Sequence, residues 1–485
     1  MLKKQINNKI YLLYLLLSII FLSIFSYSSS PLYDSYGGDS SIFMLIGKGI
    51  LNGKVPYVDL FDHKGPILFF IEAFAQSIIP GRWGIFIFQI VNLFCCLLMI
   101  HKISMLFISS KKSVISTLAA LGLLGLTLRN GNISEEYSLI LLLIPIHLSL
   151  KYVLDNSKQH SWINAFIYGC CATTLFLIKM NAIIPIGFII LFILVDLIVK
   201  KEYKNIFINA IGFIGGFSII ILPVCIYFIG HEALYEMVYG TLLFNLKYMS
   251  KSTNSELPFI KLMAQQLMTL FPVIIPSFIS VLIYNRNRNY KLISFIIILT
   301  LSFYFTINTG HRYIYYHVLN IIPFSLGVTL FLKYLENQST IFIELVISLI
   351  FGLSFALYAV IGRDVFTKIK SEYYSTYNQS AQQLAEYIPE NEKNSVLGYN
   401  TSSKWFLATD IFPCTRFYTN QDWWGIFDSI VFDEINSVLL NEVPKWIITN
   451  NLDGISNENI KQYIVENYVF VDKNEAGELY EQIYK

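Results

Sequence analysis

The sequence predicts a mainly α protein: a polytopic helical membrane domain followed by a small α/β domain at the C-terminal end. Three observations carry that expectation. Of 485 residues, 55% are hydrophobic and only 14% charged, against roughly 25% charged in soluble domains. The apolar residues gather in runs of about 16–26, the length a helix needs to cross hydrocarbon. The Lys and Arg residues between those runs fall on one side of the membrane when the runs are counted off. Backbone polar groups in lipid must be satisfied within the segment, so each run is a helix. The alternation of a membrane barrel is absent.

Taken in order, about eleven spans are expected, near residues 10–27, 83–107, 113–128, 137–154, 161–178, 182–199, 206–229, 262–284, 292–307, 318–334 and 341–362. Lys3, Lys4 and Lys9 precede the first. Lys111 and Lys112 follow the second, Lys151 and Lys158 the fourth, Lys200, Lys201 and Lys204 the sixth. Arg286, Arg288 and Lys291 follow the eighth, and Lys333 closes the tenth. That side is therefore expected to be cytoplasmic, with the N-terminus, while the odd number of spans puts the tail outside. The first span resembles a signal peptide in outline, but its apolar run is long and no A-x-A-like site follows, so retention is expected.

The outer loop 28–82 holds two apolar stretches too short to cross, Ile42–Leu51 and Pro66–Ile79. Each follows a helix-start signal, "GGDS" for one and Gly65-Pro66 for the other. They read as juxtamembrane helices lying in the outer interface. From about residue 365 the composition turns polar. Strands are expected at "SVLGYN" (395–400), "KWIITNN" (445–451) and "YVFVDKN" (467–473), with helices near 378–388, 425–441 and 456–466. The domains are thus 1–364 in the membrane and 365–485 outside it. This tail has no glycine-rich phosphate loop. The net charge of +2 offers no field for nucleic acid. Five of the six cysteines lie in apolar runs, and Cys414 is alone in the tail, so neither a disulfide nor a zinc spacing is implied.

Ionisable residues beside a membrane are costly and tend to be functional. On the outer side the first loop supplies Asp34, Asp39, Asp59, Asp62, His63 and Lys64. The second supplies Arg129, Glu135 and Glu136 in "RNGNISEEY"; Lys179 follows in "LIKMNAIIP". A late loop, "TGHRYIYYH", supplies His311, Arg312, Tyr313, Tyr316 and His317. Asp39 suits an N-cap and equally a base that takes a proton from an attacking hydroxyl. Lys64 stands beside a helix N-terminus, where free N–H donors and the dipole favour anions; it could equally snorkel and pair with Asp62. Glu135 and Glu136 could simply cap a span. Lys179 breaks the charge bias kept elsewhere, which favours an anion partner. Arg312 suits bidentate phosphate binding, beside tyrosines that fit an aromatic belt.

At these residues the sequence resembles a known family. "GGDSSIFMLIGKGILNGKVPYVDLFDHKGPILFFIEA" is similar to the first outer loop of GT-C-type membrane glycosyltransferases, the protein mannosyltransferase and aminoarabinose transferase superfamily. The likeness is to its bacterial dolichyl-phosphate-mannose-mannosyltransferase-like members in particular. "ISEEY", "IKMNA", "HRYIYYHVLNIIP" and the tail's "CTRFY" and "PKWIITN" resemble later parts of the same pattern. The resemblance implies a GT-C fold and an inverting transfer of a sugar from a polyprenyl-phosphate carrier to a cell-envelope acceptor on the outer face of the plasma membrane. The acceptor would be a lipid, a glycan or a protein. It implies catalytic roles for Asp39 and for Glu135 or Glu136. Carrier-phosphate binding falls to Lys64, Lys179, Arg312, Tyr313 and Tyr316, with Asp62, His63, His311 and His317 in support. A divalent metal would have Asp39 as its ligand, but serines rather than a second acid follow that position. A flippase of a lipid-linked sugar would instead place charges within spans along a path across the membrane; Glu344 is a rare internal charge here. A polysaccharide polymerase or ligase would use a large late outer loop, and the one at 231–258 is modest.

Overall fold

The computed structural model describes residues 8–251, 259–285, 287–308, 313–337 and 341–483. The chain opens with α1 (Asn8–Phe25). The loop after it carries α2 (Gly38–Leu51) and α3 (Pro66–Ile78). Then come α4 (Arg82–Ser104), α5 (Ser110–Thr127), α6 (Ser134–Leu154), α7 (Trp162–Phe176), α8 (Ile184–Val199) and α9 (Tyr203–Gly230). The short α10 (Leu234–Val238) and α11 (Phe244–Ser250) precede α12 (Phe259–Tyr284), α13 (Tyr290–Ile307), α14 (Ile321–Asn337) and α15 (Ile341–Ile361). The remainder runs α16 (Asp364–Tyr373), α17 (Tyr377–Ala385), β1 (Val396–Tyr399), α18 (Ser403–Thr409), α19 (Gln421–Phe427), α20 (Ile430–Ser437), β2 (Trp446–Thr449), α21 (Glu458–Asn467), β3 (Tyr468–Asn474) and β4 (Gly477–Gln482).

Among the described residues nine helices are long and apolar enough to cross a membrane. They coincide with nine of the expected spans. The other two expected spans are helical as well: α5 carries Lys111 and Lys112 in its first turn, and α7 is only 15 residues long. α7 packs closely along α9 because glycines let the backbones meet. A Cβ on Gly169 would strike the Phe213 carbonyl, and one on Gly216 the Phe166 carbonyl. This is the small-residue contact that drives helix association in lipid. The two loop helices, of 14 and 13 residues, are both too short to span.

The C-terminal sheet has strand order β1-β2-β4-β3, parallel between β1 and β2 and antiparallel elsewhere. Three strands stand where the sequence placed them. The fourth, β4, was not expected, because "GELYEQ" offers charges rather than an apolar run. Its Glu478 is buried all the same, accepting from Lys473 Nζ at 2.6 Å and from the Leu452 N–H at 2.9 Å. Neutralised in this way, a charged strand joins the sheet.

One hydrophobic cluster fills the helical bundle. A second runs without a break from the α2–α3 loop through α10 and α11 into the C-terminal sheet. Phe61 sits at its centre, fully buried. Its ring meets Phe417 at 4.8 Å, Phe244 at 5.3 Å and Trp424 at 5.4 Å, centroid to centroid. Its N–H donates to the Arg416 carbonyl at 2.9 Å. Arg416 in turn grips Glu434, Glu236 and the Tyr57 carbonyl. Three segments far apart in sequence are thereby locked together. Phe61→Ala is expected to cost about 3–5 kcal/mol, read as a fall in the unfolding temperature of the full chain in detergent.

Candidate active site

The first loop is folded so that its polar residues turn inward. Tyr57, with φ at 70°, is buried and donates its hydroxyl to the Lys64 carbonyl at 2.7 Å. Proline begins α3 at its first position, with Gly65 as N-cap, as the sequence suggested. Gly65 is required for a different reason from the one expected. A Cβ there would collide with the Leu177 carbonyl, because the start of α3 lies against the end of α7. The Gly65 N–H donates to the Ile178 carbonyl at 3.2 Å and the Ile67 N–H to the Leu177 carbonyl at 3.0 Å. The expected anion site on the free N–H groups of this helix is therefore not available: proline has no N–H, and its two neighbours are bonded. The same two bonds do something else. They fix Lys64 beside Lys179, residues 115 positions apart in the chain.

Two adjoining cavities meet there. The first is lined by Asp39, Asp62, Tyr248, Tyr313, Tyr315 and Trp423. The second is lined by Lys179, Met180, Asn181, Phe176, Asn245 and Met249. His63, Lys64, Tyr248 and Tyr316 face both. Asp39 is not the N-cap of α2; Gly37 holds that position, and Asp39 lies in the first turn, where an acid suits the helix dipole. Part of its surface opens on the cavity, but protein encloses the carboxylate and burial raises its pKa above the ordinary value. Lys64 and Lys179 pull it back down, and Asp62 and Glu135 push it up. Asp62 is buried, and its Oδ2 has no hydrogen-bond partner. Burial raises this carboxyl too, against Lys64 and the N–H groups of His63 and Lys64.

His63 has a defined orientation. Asn245 donates its amide N–H to the carbonyls of His63 at 2.6 Å and of Thr241 at 2.9 Å. Its Oδ1 then faces His63 Nδ1 at 2.9 Å, so Nδ1 carries the hydrogen. The Nε2 lone pair is left to accept from Lys64 Nζ at 3.0 Å. The imidazole thus holds the ammonium in the mouth between the cavities without adding charge. Lys179 pairs with Glu135 and lies 3.6 Å from the centroid of the Tyr316 ring, an arrangement that favours a cation. Burial draws its pKa down, and Glu135 opposes that.

Not every expected residue comes to this point. Glu136 faces away, accepting from Gln89 at 2.8 Å and from the Asn132 N–H at 3.0 Å. Nearby Glu72, an acid the sequence reading passed over, is fully buried; burial first, then Glu136, raises it to about 8. His317 sits behind Tyr316, held by Asn320 at 3.1 Å. Asp34 accepts from Asn378 at 2.9 Å, and Asp59 closes a turn by accepting from the Val55 N–H at 2.6 Å. Arg129 is exposed. His311 and Arg312 lie outside the described residues. Conversely, Asn245, Tyr248, Asn420, Trp423 and Trp424 line the cavities although none was expected. The Trp doublet in a polar tail was a readable signal; Asn245 gave none.

Among the described residues no three His, Cys, Asp or Glu side chains converge as a metal site. The two carboxylates of the first cavity share it with the Lys64 ammonium, a resident cation that offsets one of their two charges. That donor set does not fit a resident divalent ion.

A family model described as "Putative competence-induced protein Ccs4 N-terminal domain" matches residues 2–344. No curated protein matches the sequence. Among solved structures, the fold is similar to ArnT from Cupriavidus metallidurans bound to undecaprenyl phosphate, with a TM-score of 0.62, 10% identity and 99% of each chain covered. The apo state of that protein gives 0.56 at 9% identity over 98% of each chain. AglB from Archaeoglobus fulgidus, in complex with an inhibitory peptide and a dolichol-phosphate, gives 0.51 at 10% identity, covering 98% of this chain and 74% of that one. At such identities the likeness shows the fold, and the fold is of GT-C type.

Proposed function

Since this chain belongs to the competence-induced Ccs4 N-terminal domain family and has a GT-C fold, we propose that it is a membrane glycosyltransferase that takes its sugar from a polyprenyl-phosphate carrier. The observation that carries this reading is the meeting of Asp39 and Lys64 in one cavity, with Lys179 in the next. An acid stands on one side and two ammonium groups stand on the other.

The carrier's phosphate is held by Lys64 and Lys179. Glu135 keeps Lys179 in place; Tyr316, beneath the Lys179 ammonium, completes that wall, and Arg312 is a further candidate. Asp39 takes the proton from an acceptor hydroxyl as the oxygen attacks the anomeric carbon. The bond from that carbon to the phosphate oxygen breaks, and the carrier leaves as polyprenyl phosphate. Attack opposite the leaving group inverts the anomeric centre. The growing charge on the phosphate is met by ammonium groups fixed in advance, which need no reorganisation. The site lies on the outer face, and the N-terminus is cytoplasmic. In support, Lys112, Lys158, Lys200, Lys291 and Lys333 cluster at the helix ends away from the site. Residues 365–485 form an outer domain over the cavity. The acceptor is a component of the cell envelope.

Cells lacking this chain are expected to lose one sugar from an envelope glycan, restored by the wild-type gene and not by D39N. An unchanged glycan composition contradicts the proposal. A pH profile gives a second check. The ionised form of Asp39 is the active one, and burial raises its pKa, so the rate falls on acidification at a pH above the usual aspartate range. Asp62 is a like charge that raises Asp39 further. D62N is therefore expected to move the acid limb to lower pH, measured as the midpoint of initial rate against pH.

A further inference from the structure

The two cavities differ in chemistry although they share Lys64. The one beyond Lys179 is walled by Phe176, Ile178, Met180 and Met249, apolar side chains that suit a prenyl chain. The one beyond Asp39 is walled by Tyr248, Tyr313, Tyr315, Trp423 and Asn420 together with Asp62. Flat aromatic faces mixed with hydrogen-bonding groups fit an object with apolar C–H faces and polar edges, which is a sugar ring. A carrier with its phosphate at Lys64 and its lipid in the compartment beyond Lys179 has its sugar in the one beyond Asp39.

Trp423 is the residue built for that role. It is half-buried, whereas its neighbour Trp424 is packed inside against Phe61 and Phe417. The backbone leading into it is pinned by the two residues before it. Gln421 donates to the Gly398 carbonyl at 2.5 Å and the Phe417 carbonyl at 2.7 Å. The Asp422 carboxylate accepts from the Tyr399 hydroxyl at 2.6 Å and the Ser456 N–H at 2.6 Å, and the Asp422 N–H donates to Asn400 at 2.9 Å. Asn420 adopts the left-handed conformation, φ 54°, which turns the chain into α19. A wall held this firmly loses little entropy on binding.

We infer that Trp423 is the platform on which the transferred sugar ring stacks, so that the C-terminal region and not the membrane bundle selects the sugar. This rests on the proposed polyprenyl-phosphate donor. The test is binding to the full chain in nanodiscs, with bare undecaprenyl phosphate and undecaprenyl-phosphate hexoses and pentoses as probes. The wild type is expected to bind one of the glycosylated carriers about tenfold more tightly than the bare carrier. W423A should lose that preference while its affinity for bare carrier stays within about twofold, and W423F should keep most of the preference. K64A should weaken every probe. If W423A retains the preference, or weakens the bare carrier equally, the platform is overturned. If the wild type binds the bare carrier but prefers no glycosylated form, the sugar compartment is overturned. If it binds none of the probes, the donor reading itself fails.

Discussion

Asp39→Asn is expected to lower transfer by about 10²–10⁴-fold, the contribution of a positioned general base, while leaving the protein at least as stable as before. Both halves of that expectation come from the same electrostatics. Asp39 is the one acid that lines the reaction cavity from the first turn of α2, and an amide there cannot accept the hydroxyl proton. Burial raises the Asp39 pKa, so at neutral pH the folded state carries a carboxylate more costly than in the unfolded chain. Removing the charge removes that cost. Rate and unfolding temperature should therefore move independently, measured by transfer assays and thermal unfolding on matched membrane preparations. A loss of activity that tracks a loss of folded protein would point to a structural role.

Lys64→Ala is expected to be nearly as severe but to read differently. Loss of one fixed cation facing the leaving phosphate costs about 10²–10³-fold in turnover, and the donor KM should rise as well. Lys64 also lowers the pKa of both Asp39 and Asp62. Without it Asp39 is protonated to a higher pH, so part of the lost rate should return as the pH is raised. Lys64→Arg keeps the charge and should keep that pH dependence near wild type. Initial rates over donor concentration at two pH values separate these effects.

The polar residues of the first loop were readable because a membrane makes them conspicuous. Asp39, Asp62, His63 and Lys64 sit in the outer loop between apolar runs, where charge is costly, and all four line the cavity. Lys179 was readable as an exception to the charge bias, and it meets Glu135. What could not be read was how they meet. The register of Gly65 and Ile67 against Ile178 and Leu177 is set by backbone bonds, which leave no pattern in side chains. The same is true of the C-terminal wall. β1 and β2 announced themselves as apolar runs, but the short helix bearing Trp423 has a place that depends on Gln421 and Asp422 bonding to the distant strand β1. Glu135 and Glu136 show the reverse difficulty. Adjacent in sequence and on one helix, they point to different surroundings, because each residue step along a helix turns the side-chain direction by about 100°. No spacing rule decides which of the two meets Lys179.

The central claim is that a sugar leaves a polyprenyl phosphate at Asp39 and Lys64. Its most direct measurement follows a labelled sugar on undecaprenyl phosphate in proteoliposomes holding the full chain, supplied with an envelope fraction as acceptor. The label is expected to pass from the lipid to the acceptor with inverted anomeric configuration, and to stay on the carrier when the protein is D39N. Label that crosses the bilayer still attached to its carrier, or that reaches the acceptor equally well with D39N, would contradict the account.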